Sequence, residues 1–285
     1  MKKYFLLAAV ALFAASCTSD NDMLQDESAV NNPDPTTVTL TFSPYDIEAM
    51  TTRAAVADFA NKLDLWLYEG TTLLQTIQQE SSQTGFGTLS LTLDKRKTYT
   101  IHAVAHKCSA GHATLADGII TWPNDKITQS FYYTQTFSPA DVTALDCQMQ
   151  RIVGQFRLET TDQHPADAAR VTIDVPQTFT AWSTTANAAA TPKDRTVNFS
   201  TVTPTSTGTV TLSCYLISTA AAPTTHTVTV TFYDTDDQPL QQRTFEDVPI
   251  RNGYRTTYAG LFFKDQAFTA TFTVDDWQDY DPVEF

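Results

Sequence analysis

From residue 37 onward, apolar side chains recur at every second position of short segments, with polar residues between them. Val38/Leu40/Phe42, Leu63/Leu65/Leu67, Leu89/Leu91/Leu93, Tyr99/Ile101/Ala103, Val171/Ile173/Val175, Val228/Val230/Phe232 and Phe268/Ala270/Phe272/Val274 follow this pattern. A period of two sends one row of side chains into a core and the other into water, the pattern of a half-buried strand. Threonine fills many outward positions, where its branched Cβ suits extended backbone and its hydroxyl suits solvent. Turn-forming residues separate the runs: Glu69-Gly70, Thr84-Gly85-Phe86-Gly87, Asp117-Gly118, Asp234-Thr235-Asp236-Asp237 and Asn252-Gly253. Segments with helical periodicity are scarce. The pattern therefore predicts an all-β chain whose strands are spaced as in β-sandwiches.

Residues 137–147 lack strand periodicity, and a fresh alternating run starts at Met149 and continues to Leu158. This predicts two domains, 37–148 and 149–285, each long enough to bury its own core. Residues 181–204, which include Ala188-Ala189-Ala190-Thr191-Pro192, are predicted to form a long surface excursion from the second domain. No repeat with a period of roughly 20 to 50 residues is present.

The first residues follow a different rule. Met1-Lys2-Lys3 precedes an apolar run from Tyr4 to Phe13 and then Ala14-Ala15-Ser16-Cys17. That is the order of a secretory signal, with small residues at the cleavage site, and the run is too short to span a bilayer. A cysteine directly after such a site is where lipoprotein processing attaches a diacylglycerol, so residues 1–16 are read as a lipoprotein signal peptide and Cys17 as the acylated first residue. Residues 17–36 are polar, contain Pro33 and Pro35, and are read as a flexible tether. The formal charge of the chain is −14, and losing Lys2 and Lys3 with no acid takes it to −16. Such a balance argues against nucleic acid as a partner. Besides Cys17 there are Cys108, Cys147 and Cys214, a set that allows at most one internal disulfide. Stability is expected from packing, for which 42% hydrophobic and 11% aromatic residues suffice.

The motifs G-x-S-x-G, H-E-x-x-H, G-x-G-x-x-G and the Walker loop are absent, and no enzymatic activity or cofactor is expected. The best candidates for a metal site are His102, His106, Cys108 and His112. On a strand, His102 and His106 point the same way but stand about 13 Å apart, too far to share one ion; His106, Cys108 and His112 could still meet in the following loop, but ordinary solvated loop residues are the favoured reading and no metal is expected. The run Asp234 to Asp237 starts like a calcium loop, but it lacks the glycine and the closing glutamate such a loop needs, and is read as a hairpin turn. The acidic, aromatic stretch Asp275 to Asp281 is read as the solvated end of a last strand. Trp66, Trp122 and Trp182 are read as scattered core residues.

Several of these features occur in one characteristic order. After the lipoprotein signal comes the strand Val38-Thr39-Leu40-Thr41-Phe42, then Thr51-Thr52-Arg53-Ala54. Met149-Gln150-Arg151-Ile152-Val153-Gly154 opens the second half. The ending runs from Val248-Pro249-Ile250-Arg251-Asn252-Gly253-Tyr254 to Phe262, then from Phe268 to Trp277. In this order the chain resembles the Bacteroidia fimbrillin superfamily over nearly its whole mature length. The resemblance implies a type V fimbrial subunit of two transthyretin-like antiparallel β-sandwich domains, placed at the outer membrane and cell surface by the lipid on Cys17. Its implied partners are other fimbrial subunits, a trypsin-like processing protease, and host or bacterial surfaces to which the fibre adheres.

The resemblance also implies how assembly proceeds. A protease cuts after an arginine that follows the first strand; the matching position is Arg53, with Ala54 as the new N-terminus. Loss of Val38, Leu40 and Phe42 opens an apolar groove with unpaired backbone, which another subunit's strand fills. Phe268, Phe272 and Val274 mark the C-terminal strand tied to this exchange. Restoring the three core side chains returns about 5 to 8 kcal/mol, at about 1.5 to 3 kcal/mol each. Arg53 is also compatible with an ordinary exposed loop arginine, and shaft, tip, accessory and anchor roles all stay open. The competing reading is a surface glycan-binding lipoprotein of a polysaccharide-uptake system, which requires an exposed row of coplanar aromatic rings.

Overall fold

The computed structural model describes residues 33–45, 55–109, 111–199, 208–218, 223–264 and 268–274. Each alternating segment named above lies in a strand, with Phe268 one residue ahead of its own. In chain order the first half forms β1 (Pro35–Pro44), β2 (Lys62–Glu69), β3 (Thr72–Glu80), β4 (Thr88–Asp94) and β5 (Tyr99–His106). The short strands β6 (Thr114–Ala116) and β7 (Ile119–Thr121) follow, then β8 (Ser130–Phe137) and β9 (Ala144–Arg151). Apart from β6 and β7 these pair in the order β3-β2-β5-β8-β9-β1-β4. β9 changes layers: residues 144–149 run parallel to β1, while Gln150 and Arg151 pair with β8. The two layers enclose Val38, Leu40, Phe42, Leu63, Leu65, Ile101, Phe131 and Met149, none more than 2% exposed.

The second half contains β10 (Val153–Thr160), β11 (Arg170–Ser183), β12 (Ala188–Phe199), β13 (Thr211–Ile217), β14 (Thr224–Tyr233), β15 (Pro239–Ile250), β16 (Tyr254–Gly260) and β17 (Thr269–Val274). Its pairing repeats that of the first half. β10 lies between antiparallel β13 and parallel β16, as β1 lies between antiparallel β4 and parallel β9. β11 pairs with β12 and β14 as β2 pairs with β3 and β5, and β14 pairs with β15 as β5 does with β8. Each lobe thus carries one parallel pair within an otherwise antiparallel sandwich. β17 covers the outer edge of β16 and has no counterpart in the first lobe among the described residues. The second core centres on Phe156, Ile173, Leu216, Val230, Phe232 and Phe262.

Two stretches differ from expectation. Residues 144–147, predicted to be aperiodic, belong to β9, where Leu145, Cys147 and Met149 face inward and polar residues alternate with them. The stretch predicted as a surface excursion is mostly the β11–β12 hairpin. Among the described residues β12 bonds to a single neighbour, and from Ala188 to Asp194 it carries alanine, proline and charged residues without apolar alternation; only Arg195, Val197 and Phe199 turn inward.

The β6–β7 hairpin departs from the first lobe and joins the second sheet, pairing Ile119, Ile120 and Thr121 with Ser183, Trp182 and Ala181. A third apolar cluster forms there. Trp66, Trp122 and Trp182, far apart in sequence, meet in it together with Tyr132, Ile152 and Tyr215, and each tryptophan is only 3% exposed. Asp64, Trp66 and Tyr68 occupy the face of β2 opposite Leu63, Leu65 and Leu67, so this strand is covered on both faces. The buried Arg195 guanidinium donates to the carbonyls of Tyr215 (2.6 Å) and Ile127 (3.2 Å), tying β12 to both halves. Where β10 passes the turn at Asn252-Gly253, a Cβ on Gly154 would lie 2.5 Å from the Arg251 carbonyl oxygen. Only glycine permits that approach.

Candidate strand-exchange site

β1 is the first strand among the described residues but the middle strand of its layer. One edge bonds to β4, with Val38 opposite Leu91 and Leu40 opposite Leu89; the other bonds to β9, with Leu40 opposite Leu145 and Phe42 opposite Cys147. Further main-chain bonds join Thr39 N–H to Thr143 O, Phe42 N–H to Gly87 O and Tyr45 N–H to Met149 O at 2.6–3.0 Å. Val38 and Leu40 are fully buried and Phe42 is 2% exposed, while Thr37 and Thr41 face solvent. The Phe42 ring meets Tyr133 edge-on at 6.4 Å. The three residues picked out by periodicity are therefore the inward row of a strand paired along both sides.

Beside Phe42, on the neighbouring strand, is Cys147, its thiol pushed up to about 12 by burial, which its hydrogen bond with Tyr133 only partly offsets. Cys108 and Cys214 are also buried, and no two of the three form a disulfide. After β1, a short 3-10 turn at Val56–Asp58 re-enters the core: Val56 is buried and Phe59 packs on Phe131 at 6.1 Å. Gly87, at φ +84°, touches this turn; a Cβ there would fall 2.4 Å from Val56 Cγ1.

Of the other predicted site residues, Cys17, Arg53 and Ala54 lie outside the described residues. Phe268 is half-buried on the second core, its ring 5.0 Å from Phe245 and 6.3 Å from Phe262. Phe272 and Val274 sit in β17 opposite Thr256 and Tyr254, at the far edge of the second sheet. β1 and β17 are thus placed in different lobes.

The histidines do not gather round a common centre. His102 Nδ1 bonds the Tyr132 hydroxyl at 2.8 Å and the Thr134 hydroxyl at 3.0 Å, and burial lowers its pKa. His106 and His112 instead converge on Asp64, which the sequence did not single out. The fully buried Asp64 carboxylate accepts from His106 Nε2 (3.0 Å), His112 Nδ1 (2.7 Å), the Ala113 N–H (2.9 Å) and the Gln78 amide (3.0 Å). Lys62 and His112 both reach Glu80 beside it, at 2.5 and 3.5 Å. Burial works against a charge on His106, but its bonds to Asp64 and Cys108 outweigh it and the pKa is raised. This network fastens the loop that leads into β6, and so the hairpin that bridges the lobes. The signal available in the sequence was one acid amid the apolar run Leu63 to Tyr68, at the same parity as Trp66.

An all-β chain of two sandwiches, each with its first strand held centrally between a parallel and an antiparallel neighbour, is the fimbrillin-like fold. Solved structures with this fold include a candidate adhesin from Bacteroides thetaiotaomicron, 10% identical, with a TM-score of 0.54 over 87% of this chain and 98% of that one. The fimbrial anchor protein Mfa2 from Porphyromonas gingivalis is 12% identical, with a TM-score of 0.50 over 85% of this chain and 98% of its own. A candidate polysaccharide-binding protein from Bacteroides thetaiotaomicron is 10% identical, with a TM-score of 0.51 over 78% and 91%. No protein-family model matches the chain, and no curated protein matches it in sequence.

Proposed function

We propose that the chain is a subunit of a cell-surface fimbria, delivered as a lipoprotein through Cys17 and assembled by exchange of β1. The observation that carries this reading is the placement of β1. The first described strand of the chain fills the middle of a layer, so its departure leaves two strand edges and a three-pocket groove without disturbing the chain path downstream. The 3-10 turn at Val56–Asp58 and its neighbours Phe59 and Ala60 stay packed on the core after Arg53. They keep that end of the sandwich closed when the strand leaves. A replacement strand running parallel to β9 and antiparallel to β4 restores every main-chain bond and refills the pockets of Val38, Leu40 and Phe42. Cleavage after Arg53 makes a fibre subunit; an intact Arg53 with lipid retained makes an anchor.

Mild trypsin treatment of the purified precursor tests the reading. The expected result is a new N-terminus at Ala54 and a product that captures a synthetic strand peptide. A clipped product that keeps β1 bound and refuses the peptide overturns exchange as the assembly step. The glycan-binding alternative is disfavoured by Trp66, Trp122 and Trp182, which are sealed between the lobes; the described large apolar side chains that stand well out in water are Tyr45, Leu73 and Leu74.

A further inference from the structure

β5 ends in His106, and the alternation of a strand carries on past its end: His106 is fully buried, Lys107 is exposed and Cys108 is 3% exposed, so the imidazole and the thiol share the inward side. Asn61 clamps both residues. Its N–H donates to the His106 carbonyl at 3.1 Å, and its side-chain oxygen accepts from the Cys108 N–H at 2.8 Å. The imidazole lies between a carboxylate and a thiol. Its Nε2 meets Asp64 Oδ2 at 3.0 Å, while Nδ1 is sealed from solvent, takes no nitrogen or oxygen partner among the described residues and has the Cys108 sulfur beside it. The other charged groups of this corner do not compete for the ring. Lys62 of β2 and His112 of the loop both reach Glu80 of β3, and β8 sets only Ser130 opposite His106. Asp64 is saturated by its donors, and among the described residues no group of three or more His, Cys, Asp and Glu side chains is arranged to hold a metal ion. What the order carboxylate, imidazole, thiol does provide is a path for a proton away from sulfur, the arrangement that turns a weak nucleophile into a thiolate.

We infer that Cys108 is a reactive thiol, ionised by His106 while Asp64 orients the ring, and that the molecule it reacts with is hydrogen peroxide. His106 Nδ1 takes the thiol proton, and the sulfur attacks one peroxide oxygen. An S–O bond forms as the O–O bond breaks, and the departing hydroxide takes the proton back from the imidazolium. Cys108 ends as a sulfenic acid, oxidised by two electrons, and the peroxide is reduced to water. Size selects the co-reactant. A sulfur reached only through the narrow opening between exposed Lys107 and Ser109 admits a molecule little larger than water and shuts out a bulky disulfide or a peptide. Asp64 supplies the negative charge that favours the imidazolium, in keeping with the raised pKa of His106. Cys147 and Cys214 are buried as well, and neither has an imidazole described beside it.

Pulses of hydrogen peroxide on the intact chain, followed by dimedone to trap sulfenic acid and mass spectrometry of each cysteine, test the inference across a range of pH. The expected result is labelling of Cys108 at a rate already level near neutral pH, where an ordinary thiol still climbs towards about 8.5. His106→Asn is expected to slow labelling at pH 7 by about tenfold or more and to restore the ordinary climb. An aromatic disulfide is expected to leave Cys108 untouched. A wild-type profile that climbs like that of a free thiol overturns the inference, and it does so whether or not the variant folds. So does a folded variant that reacts as the wild type does, a bulky disulfide that reacts as readily as peroxide, or labelling of Cys108, Cys147 and Cys214 together, which marks opening of the whole fold. Neither Arg53 nor β1 takes part, so strand exchange can succeed or fail independently of this result.

Discussion

At the residue scale, Asp64 and its two histidines connect charge to architecture. A fully buried carboxylate is tolerated because four donors satisfy it, and removing one leaves the others under-compensated. The raised pKa of His106 gives the sign of the pH effect. The stability it contributes is complete below about 6.5, the pKa of an unfolded histidine, and is lost as pH rises through the higher folded value. His102 and His226 act the other way: burial depresses both, so their effect is a loss of stability as pH falls through that range. Comparing wild type with His106→Asn isolates the first effect. The melting temperature of the wild type is expected to fall more steeply from neutral to alkaline pH than that of the variant, and parallel curves would refute this. Gly154→Ala is expected to cost about 1 to 3 kcal/mol in denaturant unfolding, because the added methyl group meets the Arg251 carbonyl. Inward positions such as Val38 and Leu40 were visible as a periodicity. The Asp64 network was not, because its members come from β2, β3, β5 and a loop, and hydrogen bonding across that separation leaves no pattern along the chain.

At the scale of the element, β1 combines a fully buried inward row with its place as the first described strand. Leu40→Ala removes a fully buried side chain and is expected to destabilise the chain by about 2 to 5 kcal/mol. In a chain that has lost β1, the penalty of that substitution should move to the incoming peptide: a peptide of residues 36–44 with alanine at the Leu40 position should bind far more weakly than the native one. Equal binding of the two would mean that the pocket does not select the strand. Strands with a clean alternation were legible, down to turns as specific as Asp234 to Asp237, where Asp234 Oδ1 accepts from the Asp236 and Gln238 N–H groups. Edge strands were not. β3 buries little, and β12 has an inward row only at its end, Arg195, Val197 and Phe199, whose first member is charged, so β12 passed for an excursion.

For the whole molecule, the repeat of one seven-strand scheme was invisible because topology repeats while sequence does not. Each lobe satisfies the same pairing plan with different side chains. The junction escaped notice for a related reason. Trp66, Trp122 and Trp182 appear scattered along the chain, yet the β6–β7 hairpin and the long β11 bring them together. Trp182→Ala should cost about 3 to 5 kcal/mol and, because it lies between the lobes, should split a single thermal transition into two. A single cooperative transition at lower temperature would mean the remaining contacts suffice to couple the halves.

On the proposed strand exchange, the Cys147 thiol, paired opposite Phe42 on the neighbouring strand, would set a clock on assembly. While β1 is in place, Cys147 is sealed and its raised pKa keeps it inert. Were the strand to depart as proposed, water would reach this thiol, its acidity would return towards the ordinary range, and a peroxide would oxidise it to a sulfenic acid while being reduced to water or an alcohol. An oxidised sulfur in the emptied groove would be bulkier and more polar than the buried thiol, so a groove left empty too long would lose its capacity to accept a donor. On that reading successive subunits would have to meet faster than the sulfur ages, and the fraction of Cys147 that alkylates in a pulse of reagent would measure how many grooves stand open at that moment.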